Sequence, residues 1–323
     1  MATKKPKSPI LRELRDACQS EEAAVEFFER HRWGDSPSCP RCGSVNVYPM
    51  RNLDNLEMRE THHRWRCRDC KKMYSVRTGL VFEETRLPLK IWAYAFWKAC
   101  ASKKGVSALQ ISRECEISYK SALFLMHRIR YAMEETPGGA KLLSGTVEVD
   151  EAYIGGKPRR WFTRSSTGEP VENYRTTWTL KTPVVALVER GGRARVRKAD
   201  RVDARTLRGA VSELVEQGST VYTDENSSYK RLGSDGYRHD FVTHSKHEYA
   251  RGDVSTNTVE GFFALLKRGI FGTFHSVSKH HLHRYLAEFE FRWNTRAMKD
   301  GERTLAAIRG AEGKRLLYRV APA

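Results

Sequence analysis

Three acidic positions and four cysteines are the residues of this 323-residue chain whose types and spacing could do chemistry. Asp150 closes the alternating run Thr146-Val147-Glu148-Val149-Asp150, in which Val147 and Val149 face one side of a strand and Glu148 and Asp150 the other. Asp224 closes a second strand-like run, Val221-Tyr222-Thr223-Asp224. Acids at the ends of neighbouring strands can lie close together, which costs energy unless cations share them. Magnesium, an oxygen-seeking ion, is the natural guest. The third position, Glu260, lies in the run from Thr256 to Lys267. On a helix, Asn257, Glu260, Ala264 and Lys267 share one stripe, while Val259, Phe262, Phe263 and Leu266 lie towards the opposite side. A carboxylate for a metal and an ammonium for a phosphate then project together. Two metal ions held by such carboxylates can activate the attacking oxygen and stabilise the leaving oxygen of a phosphodiester. Each position alone also has a plainer reading: Asn257 and Glu260 as a helix cap with its reciprocal acid, Asp224 as the start of a polar turn.

The cysteines Cys39, Cys42, Cys67 and Cys70 form two CxxC pairs with 24 residues between them. Each pair makes a tight knuckle with two thiolates on one side. Two knuckles joined by a hairpin give tetrahedral sulfur coordination, which suits zinc. Basic neighbours Arg41, Arg66, Arg68, Lys71 and Lys72 favour the thiolates and leave a positive surface. Four sulfurs close a structural site, so this zinc holds a module together, and His62 and His63 are left to the ribbon's solvent face. Cys18, Cys100 and Cys115 stand alone in helix-like contexts, a pattern that fits a reducing cytoplasm and no disulfide scaffold.

Around these residues the pattern predicts the elements that must hold them. Residues 1–19 open on Lys4-Lys5-Pro6-Lys7 and read as a frayed arm, after which Ser20 caps a helix from Glu21 to about Trp33. Helical patterning returns at Pro88 and runs through Trp92, Phe96 and Ala99. Ser107–Cys115 and Tyr119–Met133 read as two helices about the turn Glu116-Ile117-Ser118. That is the pattern of a helix–turn–helix, with Tyr119, Lys120 and Ser121 at a major groove, and equally of two helices simply packed together. Thr136-Pro137-Gly138-Gly139 marks a domain boundary. Beyond it, Pro183–Glu189 and Ala194–Lys198 flank Gly191-Gly192 as a hairpin, and Asp203–Gln217 is an amphipathic helix. Three antiparallel strands, a helix, a further strand and a later helix make an α/β order consistent with a ribonuclease-H-like sheet. The expected organisation is an arm and helix at 1–36, a zinc ribbon at 37–80, a helical segment at 81–136, a ribonuclease-H-like domain at 141–300 and a tail at 301–323.

The charge balance narrows the partner. Lys and Arg number 57 against 39 Asp and Glu, for a net charge of +18. The excess sits on both halves, 25 against 17 in residues 1–140 and 32 against 22 in residues 141–323. Such a fold repels itself unless it meets a polyanion, and nucleic acid is the usual one. Arg159 and Arg160, just past the first acid-bearing strand, suit phosphate contacts. His275, His280, His281 and His283, among Lys279, Arg284, Arg292 and Arg296, read better as a DNA-facing surface than as a metal site. A hydrophobic share of 40% argues against wholesale disorder. No apolar run approaches the roughly 18 residues of a membrane span.

The runs Val147–Lys157, Val221–Glu225 and Thr256–Arg268, closed by Phe289–Asn294, together resemble the DDE transposases of bacterial insertion sequences. The similarity is to the ISXO-like group, related to the Merlin DNA transposons; it covers about Val147 to Asn294, and a zinc ribbon in front is typical of the same group. The resemblance implies a ribonuclease-H-like core in which Asp150, Asp224 and Glu260 bind two magnesium or manganese ions. The 35 residues between Asp224 and Glu260 are a spacing such enzymes favour. Lys267 matches the basic position that contacts transposon-end DNA, with Arg268 beside it. Some members carry Asn as the third catalytic residue, which here would be Asn257; the placement of Lys267 favours Glu260 and leaves Asn257 as a second ligand or orienting group. The implied reaction is metal-assisted hydrolysis at transposon ends, then attack of the freed 3′-hydroxyl on target DNA. It implies a homodimer or larger assembly on double-stranded DNA, in a bacterial cytoplasm beside the nucleoid. The alternatives are a domesticated, catalytically inactive relative and a zinc-ribbon DNA-binding regulator.

Overall fold

A computed structural model describes residues 9–52, 59, 62–135, 141–155, 160–174 and 181–317, with 160–162 and 172–174 described as backbone alone. The chain divides into two units, residues 1–135 with 297–323, and residues 136–296.

In the first unit, Ser20 caps as its position predicts: its Oγ accepts from the Ala23 N–H at 3.1 Å and starts α2, Glu21–Trp33. The expected arm already contains a helix, α1, Pro9–Ala17. Its pattern is visible in retrospect, because Ile10, Leu14 and Ala17 recur at helical spacing, and Leu14 and Ala17 are wholly buried. The lysine run before it lies outside the described residues. Short strands β1 (Val47–Pro49), β2 (Trp65–Cys67) and β3 (Met73–Tyr74) form an antiparallel ribbon. α3 spans Leu89–Ala101 and buries Trp92 and Phe96. α4 (Ala108–Glu114) and α5 (Tyr119–Met133) start on Ser107 and Ser118, whose hydroxyls accept from Gln110 and Ser121 N–H groups at 3.1 and 3.2 Å. From Leu125 to Arg130 every residue of α5 is buried, and its exposed residues are Tyr119 and Lys120 in the first turn. The stretch expected as a tail instead opens with a helix, Asp300–Arg309, which buries Leu305, Ala307 and Ile308 within this same unit.

The second unit is built on a five-stranded sheet. β4 (Thr146–Ile154) pairs antiparallel with β7 (Thr182–Glu189), and β7 pairs antiparallel with β8 (Ala194–Lys198). A hairpin of its own, β5 (Arg160–Arg164) with β6 (Pro170–Tyr174), is inserted between β4 and β7, where sequence pattern predicts no strands. The helix α6 (Ala204–Leu214), capped by Asp203, then crosses over to β9 (Thr220–Thr223), which lies parallel to β4. β10 (Arg238–Phe241) adds parallel to β9, giving the order β10-β9-β4-β7-β8. This is the expected ribonuclease-H-like arrangement. Strand alternation sends Val147, Val149, Val185 and Leu187 to one face, where Leu207 and Val211 of α6 cover them. Ala152, Ile154, Val184 and Ala186 face the other side, under α7 (Asn257–Gly269) and α8 (Leu282–Asn294). A Cβ at Gly269 would overlap the Phe289 ring, so the glycine is what lets α7 and α8 approach. Among the described residues no helix is long and apolar enough to cross a membrane.

Candidate functional site

β4 outruns its parallel neighbour. The β4–β9 pairing ends at Glu148 opposite Tyr222, β9 stops at Thr223, and β4 continues to Ile154. Asp150 and Asp224 therefore sit where two strands part, and carboxylate oxygens of Asp150, Glu151 and Asp224 lie within 4.8 Å of one another. Asp224 Oδ1 accepts from the Asn226 N–H at 3.1 Å, so it begins a polar turn and joins the acid group at once. Glu151 starts from the opposite face of β4, takes a bond from Asn226 Nδ2 at 3.4 Å, and lies against the buried Tyr229. Burial pushes Glu151 up to about 8 and Asp150 up to about 6, and raises Asp224 as well; neighbouring carboxylates add to each shift. Crowded oxygen donors that resist ionising together are the donor set a hard divalent cation neutralises.

That crowding fixes the sign of a pH effect. These acids hold protons more tightly folded than unfolded, so their contribution favours the fold at low pH and is lost as pH rises through about 6 and then about 8. A divalent cation must displace the same protons. The affinity for Mn2+ is therefore expected to rise between pH 6 and pH 8, and added Mn2+ to raise the melting temperature more at the upper end. Calorimetry and thermal melts across that range measure both, and a flat affinity would contradict the assignment.

The third acid stands on α7. Its buried face is Val259, Phe262, Phe263 and Leu266; of the expected stripe Asn257, Glu260 and Lys267 are exposed and Ala264 half-buried, and Arg268 is exposed beside it. Glu260 Oε1 accepts from Thr256 Oγ1 at 3.0 Å and lies 3.8 Å from His244 Nε2. Glu260 raises the Asp150 pKa and Lys267 lowers it, so both side chains act on that acid. Asn257 does not cap the helix, whose N-cap is Thr256 without a side-chain cap bond. The free N–H groups are satisfied from the sheet instead: Glu148 Oε2 accepts from Thr258 N at 2.6 Å and Val259 N at 3.1 Å. Alternation placed Glu148 on the Asp150 face, but nothing local signalled its complete burial.

Of the remaining expected contacts, Lys120 is exposed at the start of α5, and Arg160 is placed on β5 by backbone alone. Arg159 lies outside the described residues. The histidines at 275, 280, 281 and 283 join no metal-holding group among the described residues, and Trp293 packs on Phe262 at 5.7 Å in the core.

In the first unit the four cysteine sulfurs converge. Cys39 and Cys70 Sγ are 3.7 Å apart, as are Cys42 and Cys67 Sγ, with all four within 4.8 Å. Sulfurs about 2.3 Å from zinc at tetrahedral corners stand about 3.8 Å apart, so the set fits that ion. Backbone N–H groups of Cys70 and Asp69 pull the Cys67 thiol down, while the neighbouring sulfurs push Cys42 up, because four crowded sulfurs resist ionising together without a cation. Trp33 supports the knuckles by packing edge-on to Trp65 and Tyr74.

Two stretches of the chain match known families. Residues 142–294 match the family described as the ISXO2-like transposase domain, and residues 19–73 match the transposase zinc-ribbon domain. A protein in transposable element ISH50 of Halobacterium salinarum is 29% identical over 279 residues, 84% of this chain and 90% of that protein. A transposase-like protein of Haemophilus influenzae is 33% identical over 98 residues, 30% of this chain and 78% of its own length. Among solved structures, the Mos1 strand transfer complex aligns at 15% identity with a TM-score of 0.24, over 60% of this chain and 74% of that one.

Proposed function

The chain belongs to the ISXO2-like transposases that carry an N-terminal zinc ribbon, and we propose that it cuts DNA at the ends of its element and joins the 3′ ends to target DNA at the Asp150–Asp224–Glu260 site. The observation that carries this reading is the acid group at the parting of β4 and β9, beside an exposed stripe of α7 bearing Glu260 and Lys267. Asp150, Asp224 and Glu260 hold the metals, and Asn257 orients. Two magnesium or manganese ions supply activation of the attacking oxygen and stabilisation of the leaving one. Lys267 and Arg268 bind phosphates next to the cleaved bond, and Arg159 and Arg160 extend that track. The basic ribbon and the exposed Lys120 at the start of α5 bind duplex DNA as well. Joining two ends calls for two or more copies on double-stranded DNA, and the work belongs in the cytoplasm, beside the nucleoid. With a net charge of +18, binding is mostly electrostatic and weakens steeply with salt.

The test incubates the purified full chain with Mg2+ or Mn2+ and duplexes carrying the sequences that flank its gene, and maps the cut strands. Glu260→Gln is expected to lose about a hundredfold or more in cleavage rate, and Asn257→Ala no more than about tenfold. The reverse order would give the third position to Asn257, and parental rates in both would remove both. Tight end binding by the parent chain without any cleavage would identify a catalytically inactive relative.

A further inference from the structure

We propose that Glu148 and Arg190 are a positioning pair that sets the mutual spacing of the three metal-binding acids; this rests on the reading of Asp150, Asp224 and Glu260 just given. Glu148 is wholly buried and accepts four bonds. Two come from the Thr258 and Val259 N–H groups, and Oε1 takes the others, from Thr258 Oγ1 at 2.9 Å and Arg190 Nε at 2.7 Å. Arg190 in turn donates from Nη2 to Ser255 Oγ at 2.8 Å and Ser255 O at 3.2 Å, and its guanidinium carbon lies 5.0 Å from the Tyr222 ring centroid.

The three contacts share one register. Glu148 stands two residues before Asp150, Tyr222 two before Asp224 and Thr258 two before Glu260. One ion pair therefore touches β4, β9 and α7, the three acid-bearing elements, each immediately ahead of its acid. On β4 a spacing of two keeps Glu148 and Asp150 on the same face. On α7 the contact falls in the first turn, where N–H groups lack partners within the helix and the helix dipole favours an anion.

A local cap at Thr256 would have satisfied α7 without tying it to anything. Because the cap comes from β4, α7 cannot slide along the sheet without leaving a buried carboxylate and its own N–H groups unpaired. Arg190 is held by its backbone as well, its N–H donating to Thr146 O on β4 at 3.0 Å. The pair is given a positioning role: it acts through the placement of the acids.

The experiment measures Mn2+ binding to the full chain by calorimetry, well below the melting temperature, alongside thermal melts and end-DNA binding. Glu148→Gln keeps the shape and reverses part of the hydrogen bonding. It is expected to raise the Mn2+ dissociation constant about tenfold or more, to leave DNA binding intact, and to lose cleavage that extra Mn2+ partly restores. Thr258→Val and Arg190→Lys each remove only part of the network and carry the same test if Glu148→Gln does not fold, with a shift of about threefold expected. Unshifted Mn2+ binding in the folded variants, whatever their melting temperatures, overturns the proposal and leaves the pair a stabilising contact. Glu260→Gln separates the two claims. If it also leaves Mn2+ binding unshifted, the site reading fails, whereas a shift there with none in the pair's variants overturns this proposal alone.

Discussion

Asp224→Asn is expected to reduce metal-dependent cleavage of element ends about a thousandfold or more, while raising the melting temperature of the metal-free protein. The two signs differ because the acid does two jobs. Its Oδ1 accepts from the Asn226 N–H at 3.1 Å, a bond that an amide oxygen reproduces, so the turn after β9 survives the substitution. Its charge is what the surroundings resist: burial, with Glu225 nearby, raises its pKa from the ordinary aspartate value. Neutralising it relieves that penalty in the absence of metal. With metal, the same change removes an anionic ligand from a group whose oxygens lie within 4.8 Å. Losing about 4 kcal/mol of transition-state stabilisation corresponds to about a thousandfold in rate. Cleavage assays with Mg2+ and Mn2+, paired with melts with and without metal, read both signs together. Cleavage within tenfold of the parent would remove Asp224 from the metal-binding acids. A lower metal-free melting temperature would show that its charge stabilises the fold.

Local pattern carried the parts of the site that depend on local geometry. The stripe of α7 followed from helical period, the cap at Ser20 from side-chain chemistry, and the hairpin at Gly191-Gly192 from turn composition. What pattern could not carry was set by contacts between distant elements. Glu148 lies 110 residues from the N–H it caps, and nothing within β4 tells a solvated Glu from one buried under a helix end. Glu151, next to Asp150 and on the other face of β4, joins the acid group beyond the point where the β4–β9 pairing ends, a meeting that no local pattern marks. The cap reading of Asn257 failed for the same reason, since the helix start is satisfied from the sheet. The inserted β5–β6 hairpin carries no signal of its partner strand stronger than its own Gly168 turn.

Loss of the zinc-binding set is the second large effect, and it is expected in stability and binding before chemistry. The ribbon has strands of 3, 3 and 2 residues around a small cluster of Trp33, Trp65 and Tyr74, too little apolar area to stand without a cross-link. Zinc binding in comparable small modules is worth about 10–16 kcal/mol, which is also the folding energy of the module. Cys42→Ser removes a sulfur at the exposed corner of the set, where no packing is lost with it. The purified parent should carry one zinc per chain, and the variant substantially less. Hydrogen exchange should then quicken across β1, β2 and β3 and stay slow in β4 and β7, whose side chains sit in cores of their own. End-specific binding should fall as the basic knuckles lose their fixed geometry, and non-specific cutting at high Mn2+ should persist, because four sulfurs leave no open position for a substrate. A zinc-free parent, or a ribbon whose exchange ignores the substitution, would mean that the aromatic cluster alone folds the module. Loss of the non-specific cutting with the fold of residues 136–296 intact would give the ribbon a part in catalysis that its closed sulfur shell does not predict.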